Sequence, residues 1–205
     1  MAKRTTLFPD PFPYADYRRY TYAMGIATGD VIWVAGQLAD EYDAEIGRMV
    51  CRGGLLEQTR LAFEKVRLIL ESAGAGFGDI VHQVDYITPA ALESYQDTLN
   101  IRRQYFGDDL PVTTTVVVNR LLRDESLIEV EVVAVRGPSP RRSFPDPSAI
   151  GGLFPTPGAV QKGDLLFITA QPSVDAGASD VVNQAQAIYD AIGGSLKAAG
   201  PGLPM

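Results

Sequence analysis

An α+β sandwich, a mixed sheet covered on one face by two helices, is the fold class the sequence predicts. Three observations carry it. Short β-rich apolar runs alternate with two helix-patterned runs between residues 20 and 136. Each helix pattern closes on a glycine, Gly74 or Gly107. After a Pro-rich stretch the first part of this pattern restarts, giving a partial second repeat.

Residues 1–19 are rich in proline and aromatics and read as an irregular arm, able to contribute a first strand. "GDVIWVAGQLA" then sets a turn at Gly29-Asp30 and a β-rich run ending at Gly36. "LLEQTRLAFEKVRLILESAG" places Leu55, Leu61, Ala62, Val66, Ile69 and Leu70 at helical spacing, with Gly74 as the stop. "DIVHQVDYIT", residues 79–88, reads as a short strand, and "LESYQDTLNIRRQYFG", residues 92–107, as a second helix. "LPVTTTVVVNRLLRDESLIEVEVVAV", residues 110–135, reads as a closing β-hairpin. Residues 1–136 thus form one domain and residues 137–152, "GPSPRRSFPDPSAIGG", a linker.

Residues 153–205 repeat what came before. "KGDLLFITAQPSVD" parallels "TGDVIWVAGQLADE", setting Gly163-Asp164 on Gly29-Asp30 and Gln171 on Gln37. "VNQAQAIYDAIGGSLKAAG" parallels "LEQTRLAFEKVRLILESAG", setting Gly200 on Gly74. The second copy stops after its first helix, as in a fragment of a longer tandem protein. A hairpin and one helix leave a strand edge unpaired. The segment is therefore expected to dock on the first domain or on another chain, or to stay poorly ordered.

Composition narrows the function. A formal charge of −7 with scattered Lys and Arg argues against a nucleic-acid partner, and no apolar run is long enough for a membrane span. One cysteine, Cys51, and one histidine, His82, exclude an intrachain disulfide and a His-rich metal site. No phosphate-binding, dinucleotide-binding or metal motif occurs, so chemistry without a cofactor is the expectation. A soluble, cytoplasmic protein acting on a small molecule fits these features.

"YTYAMGIATGDVIWVAGQLA", "EQTRLAFEKVRLILESAGAGFGDIV" and "LIEVEVVAVR" resemble the Rid proteins, also called the YjgF family, which are reactive imine and enamine deaminases. The resemblance spans roughly residues 20–136, with a partial second match beyond 153. It implies a chorismate-mutase-like sandwich, a trimer-like homo-oligomer, and ligand sites in clefts between subunits. It also implies that Tyr22, Gly36 and Asn100 line the ligand, and that Glu129 positions or activates water. At the position where the family carries an arginine that grips the substrate carboxylate, this chain has Thr113, and Thr115 stands where cysteine is common. Losing that fork removes on the order of 1.5–3 kcal/mol of charged hydrogen bonding. Either the substrate is neutral or differently charged, or Arg102, Arg103 or Arg120 supplies the charge from elsewhere.

Each candidate also has a plainer reading. Alternation puts Ile128, Val130 and Val132 on a core face and Leu127, Glu129, Glu131 and Val133 on the other, which is solvent or cleft. Two carboxylates ~7 Å apart on one strand face would raise each other's pKa. Thr113 and Thr115 share a face, as hydroxyls lining a pocket or as ordinary strand formers. Tyr22 reads equally as a buried, hydrogen-bonded aromatic. Gly36 could simply end a strand. Cys51 is a spare loop thiol or, beside Arg48 and Arg52, a reactive one. His82 shares a mostly apolar face with Ile80, Val84 and Tyr86, as a core or interface histidine or as a base.

Overall fold

The computed structural model describes residues 3–145, 156–169 and 180–200. The chain runs β1 (Arg4–Leu7), β2 (Gly25–Thr28), β3 (Val31–Leu38), β4 (Asp40–Asp43), β5 (Arg48–Cys51) and α1 (Leu55–Ser72). It continues through β6 (Ile80–Ile87), α2 (Leu99–Phe106), β7 (Val112–Val117) and β8 (Ile128–Val135). β9 (Arg141–Phe144), β10 (Ala159–Lys162), β11 (Leu165–Ile168) and α3 (Val181–Ala199) follow. The main sheet has the order β1-β2-β3-β8-β6-β7, with β6 and β7 parallel and the other pairs antiparallel.

α1 forms where its pattern places it. The Glu57 carboxylate accepts from the Gly54 amide at 3.1 Å, closing the first turn, and Gly74 sits at φ +68° just past the last. Its buried stripe of Leu55, Ala62, Phe63, Val66, Ile69 and Leu70 packs on Ile32, Val34, Ile128, Val130, Val132 and Ala134. Burying a side chain such as Phe63 contributes about 1.5–3 kcal/mol. Polar side chains of α1 then fix the loop that enters β8. The Gln58 amide donates to the carbonyls of Gly53 (3.1 Å) and Glu125 (3.0 Å), and its oxygen accepts from the Leu127 amide at 2.7 Å.

The closing segment is not a hairpin. β7 follows β6 through α2, a crossover that leaves the two strands parallel, and β8 returns on the other side of β6. Residues 118–127 form a long connection with none of the tight-turn chemistry that pairs neighbouring strands directly. Residues 92–107 are likewise not one helix: a 3-10 turn at Tyr95–Thr98 leads into α2. The arm supplies β1, which pairs with β2.

Alternation in β6 runs opposite to its hydrophobicity. Gln83 and Asp85 face the helices and are fully buried, whereas His82, Val84 and Tyr86 lie on the open face. The buried carboxylate of Asp85 is satisfied by Arg102 Nη2 at 2.8 Å, Gln83 Nε2 at 2.7 Å and the Tyr95 hydroxyl. Tyr95 also contacts Thr115 Oγ1 at 3.0 Å, so this network ties residues 95–102 to β6 and β7.

Part of the expected linker is strand: β9 pairs with β10, which pairs with β11. This small sheet docks on the open face of the main one. Val160 packs with Val81, Val112, Val133 and Val135, and Phe167 stacks on His82 at 6.3 Å between centroids. Lys162 Nζ donates to Asp79 Oδ1 at 2.6 Å, and Arg141 Nη2 to the Leu110 carbonyl at 2.7 Å. The β9-β10-β11 pairing reproduces that of β1-β2-β3. Arg141 faces Lys162 as Arg4 faces Thr28, and Phe167 faces Val160 as Trp33 faces Ile26. The connecting turns carry Gly163 at φ +58° and Gly29 at φ +59°.

Candidate functional site

Glu129 and Glu131 project from β8 onto the open face, opposite to Ile128, Val130 and Val132, which are buried under α1. Tyr86 is the register partner of Glu129 on β6 and shares its face. These residues, with Val118, Arg120, Leu121 and Leu122 from the β7–β8 connection, line a cleft of about 480 Å³.

The seat of Glu129 is prepared by β3. The pairing of β3 with β8 shifts register between Val34 and Gln37, and Gln37 folds back so that its amide donates to the carbonyls of Ala35 (2.7 Å) and Gly36 (3.1 Å). The Glu129 carboxylate lies over Gly36. A Cβ at that position would stand 2.0 Å from Oε1 and 2.9 Å from Cδ. Gly36 is therefore what leaves room for the carboxylate to approach this closely.

Electrostatics mark the same residue. Burial, reinforced by Glu131 and Asp40, pushes the Glu129 carboxyl above the ordinary glutamate range. Asp40 is itself held by the buried Lys65 ammonium, at 3.0 Å from Oδ1, and by Arg123. Burial also raises the Tyr86 phenol, helped by Glu131 and Glu129. Burial raises the Tyr22 phenol, with Tyr20, Asp40 and then Glu129 adding to it. Tyr22 is not the buried aromatic of the plainer reading: it stays 53% exposed and stacks on Tyr20, with centroids 5.2 Å apart.

The other expected site residues do not join this group. Thr115 faces the helices and bonds Tyr95, and the Thr113 hydroxyl reaches its own neighbour's carbonyl at Pro111, 3.3 Å away. The Thr113 carbonyl is capped by Thr169 Oγ1 at 3.1 Å, so the C-terminal segment sits against that position. Asn100 is exposed on α2, on the helical side of the sheet. Cys51 is buried at the end of β5 rather than in a loop, and burial pushes its thiol up, away from reactivity. His82 is covered by Phe167, and burial alone holds its pKa down. Gln171 lies outside the described residues. Among the described residues, no three or more His, Cys, Asp and Glu side chains converge to hold a metal ion. None of their helices is long and apolar enough to cross a membrane. Tyr86 is the cleft residue to which the sequence patterning gave no role, whereas Arg120 entered only beside Arg102 and Arg103 as an alternative source of charge. Tyr86 was legible in principle, since it shares a face with the half-buried His82 and Val84.

A helix-backed mixed sheet presenting a desolvated glutamate over a glycine bulge defines a Rid-fold protein. Residues 15–136 match the family model described as Endoribonuclease L-PSP, and the chain belongs to that family, the Rid or YjgF proteins. It is 36% identical over 115 residues to a RutC family protein of Pyrococcus abyssi, covering 56% of this chain and 86% of that one. Over 117 residues it is 28% identical to the human 2-iminobutanoate/2-iminopropanoate deaminase, covering 57% of this chain and 81% of that one. A solved structure titled as a putative endoribonuclease from Thermotoga maritima superposes with a TM-score of 0.56 at 27% identity, covering 65% of this chain and 98% of that one.

Proposed function

We propose that this protein hydrolyses a small imine or enamine to a carbonyl compound and ammonia, without a cofactor, in the Glu129 cleft. The observation that carries this is the desolvated Glu129 carboxylate seated on Gly36 and facing an open cleft. The raised pKa brings the group nearer neutrality, where it exchanges protons most effectively. Glu129 takes a proton from water as the oxygen adds to the carbon of the protonated imine, leaving a neutral carbinolamine. The same carboxyl then gives that proton to the nitrogen. As the C–N bond breaks and ammonia leaves, the carboxylate takes the hydroxyl proton, so the carbonyl forms and one water is consumed. The distant human relative named as an imine deaminase supports this reaction class. The ribonuclease activity in the family's description fits less well, because the cleft carries two carboxylates and the chain a charge of −7.

The cleft is open on one side, beside Leu122, which is 71% exposed, and Val116 and Val117 of β7 are exposed as well. A second copy closing the cleft in a trimer-like assembly fits this surface, and light scattering on the purified chain measures it. The matching registers of β1-β2-β3 and β9-β10-β11 support reading residues from 141 onward as a partial second copy. The test of function is ammonia release from a panel of enamines generated in situ. Wild type should exceed the uncatalysed rate on at least one member, and Glu129→Ala should not. Flat assays alongside ligand-induced thermal shifts would favour a non-catalytic binding protein, a reading that the threonine at position 113 supports.

A further inference from the structure

We propose that Asp40 is a positioning residue for the cleft: held between Lys65 and Arg123, its carboxylate ties the cleft wall to the strand end beside Glu129 and keeps a negative charge there. This rests on Glu129 being the group that exchanges protons.

The clamp starts from an irregularity in α1. Lys65 stands in the buried stripe of that helix, among Ala62, Val66 and Ile69. A buried ammonium needs an acceptor for each of its three protons. Lys65 Nζ finds them at the corner where β3 passes into β4. They are the Leu38 carbonyl at 2.8 Å, Asp40 Oδ1 at 3.0 Å and the Asp40 carbonyl. Leu38 is the register partner of Glu129, so this corner lies beside the cleft carboxyl. The other Asp40 oxygen, Oδ2, accepts from Arg123 Nε at 3.4 Å. Arg123 belongs to the β7–β8 connection, which walls the cleft through Val118, Arg120, Leu121 and Leu122. Gln58, two turns before Lys65 on the same face of α1, anchors the far end of that connection at Glu125 and Leu127. α1 therefore fixes the cleft wall at both places, and Asp40 is the link in one of them.

Charge follows from the same geometry. The ionisable groups around Glu129 are Glu131 on its own strand, Tyr86 on β6, Tyr22 ahead of β2, Arg120 and Arg123 on the connection, and the Asp40–Lys65 pair. Asp40 adds to the potential that holds a proton on Glu129. Removing its charge leaves Lys65 and Arg123 uncompensated, so Glu129 ionises more readily. Removing the charge of Arg123 leaves Asp40 less compensated, so Glu129 keeps its proton to higher pH. These opposite signs separate the role from mere support. Loosening the cleft wall would admit water and move Glu129 toward the ordinary glutamate value in either variant.

The test is a carbon-13 NMR pH titration of the Glu129 carboxyl in glutamate-labelled protein, its resonance identified by its loss in Glu129→Gln. Asp40→Asn should lower the titration midpoint by roughly half a pH unit or more, and Arg123→Gln should raise it. Asp40→Glu, which restores the charge, should stay near wild type. Asp40→Asn breaks a buried pair. If it does not fold, Arg123→Gln decides alone, because that side chain is 33% exposed and its loss leaves Lys65 on Asp40. A midpoint that is unchanged or lowered in Arg123→Gln, or unchanged in Asp40→Asn, would overturn the assignment. The titration needs no turnover, so the expected shifts in a protein that releases no ammonia would contradict only the deaminase reading.

Discussion

Gly36 leaves the space that the Glu129 carboxylate occupies: a Cβ on residue 36 would lie 2.0 Å from Glu129 Oε1. The backbone there is not in the left-handed region, so conformational freedom is not what selects glycine. The clash falls on the end of a flexible side chain, so Gly36→Ala should move the carboxylate without disrupting the sheet. We expect a stability change under about 1 kcal/mol by urea unfolding. Activity should fall roughly 100-fold, as for other ångström-scale displacements of a catalytic group.

The raised pKa of Glu129 has a definite sign in stability. A carboxyl whose pKa is higher in the folded state favours folding while protonated, and that contribution is lost as pH rises through the folded value. Glu129→Gln removes the burden of the buried charge. The variant should melt above wild type near neutral pH, with the gap closing as pH falls below the ordinary glutamate value. Scanning calorimetry across that range measures it.

His82 reports on docking of the C-terminal sheet. Burial holds its pKa below the usual value, and Phe167 is the ring stacked against it. Phe167→Ala should return the titration toward the ordinary histidine range of about 6.5. As the only histidine in the chain, it gives a single imidazole resonance to follow by NMR.

The Asp85–Arg102 pair is structural, and it lies on the far side of the sheet from the cleft. Asp85→Asn leaves a buried guanidinium without its counter-charge, at a cost of about 3–5 kcal/mol. Urea unfolding should show that loss, while ammonia release per folded molecule stays at the wild-type level.

How much of this was legible follows from what local pattern encodes. α1 announced itself through its stripe and Gly74, and the alternation in β8 separated Val130 and Val132 from Glu129. Strand order was not legible, because β7 and β8 adjoin in sequence while β6 lies between them in space. Which face of β6 enters the helix-side core was illegible for a related reason. Apolarity normally marks the core, but here Gln83 and Asp85 enter it, made tolerable by Arg102 and Tyr95 from a distant segment. Sequence could not choose Arg120 over Arg102 and Arg103 as a cleft residue. Arg120 reaches the cleft through an irregular connection whose path only the packing of Leu121 and the anchoring of Leu127 by Gln58 define.

The most direct measurement is the rate of ammonia release from 2-iminobutanoate generated in situ near neutral pH, wild type against Glu129→Gln. The substitution keeps size and hydrogen bonding but cannot carry a proton. A loss of at least ~100-fold with the folded structure preserved by circular dichroism is the expected result. Equal rates in the two proteins would contradict the role of Glu129 and with it the proposed chemistry.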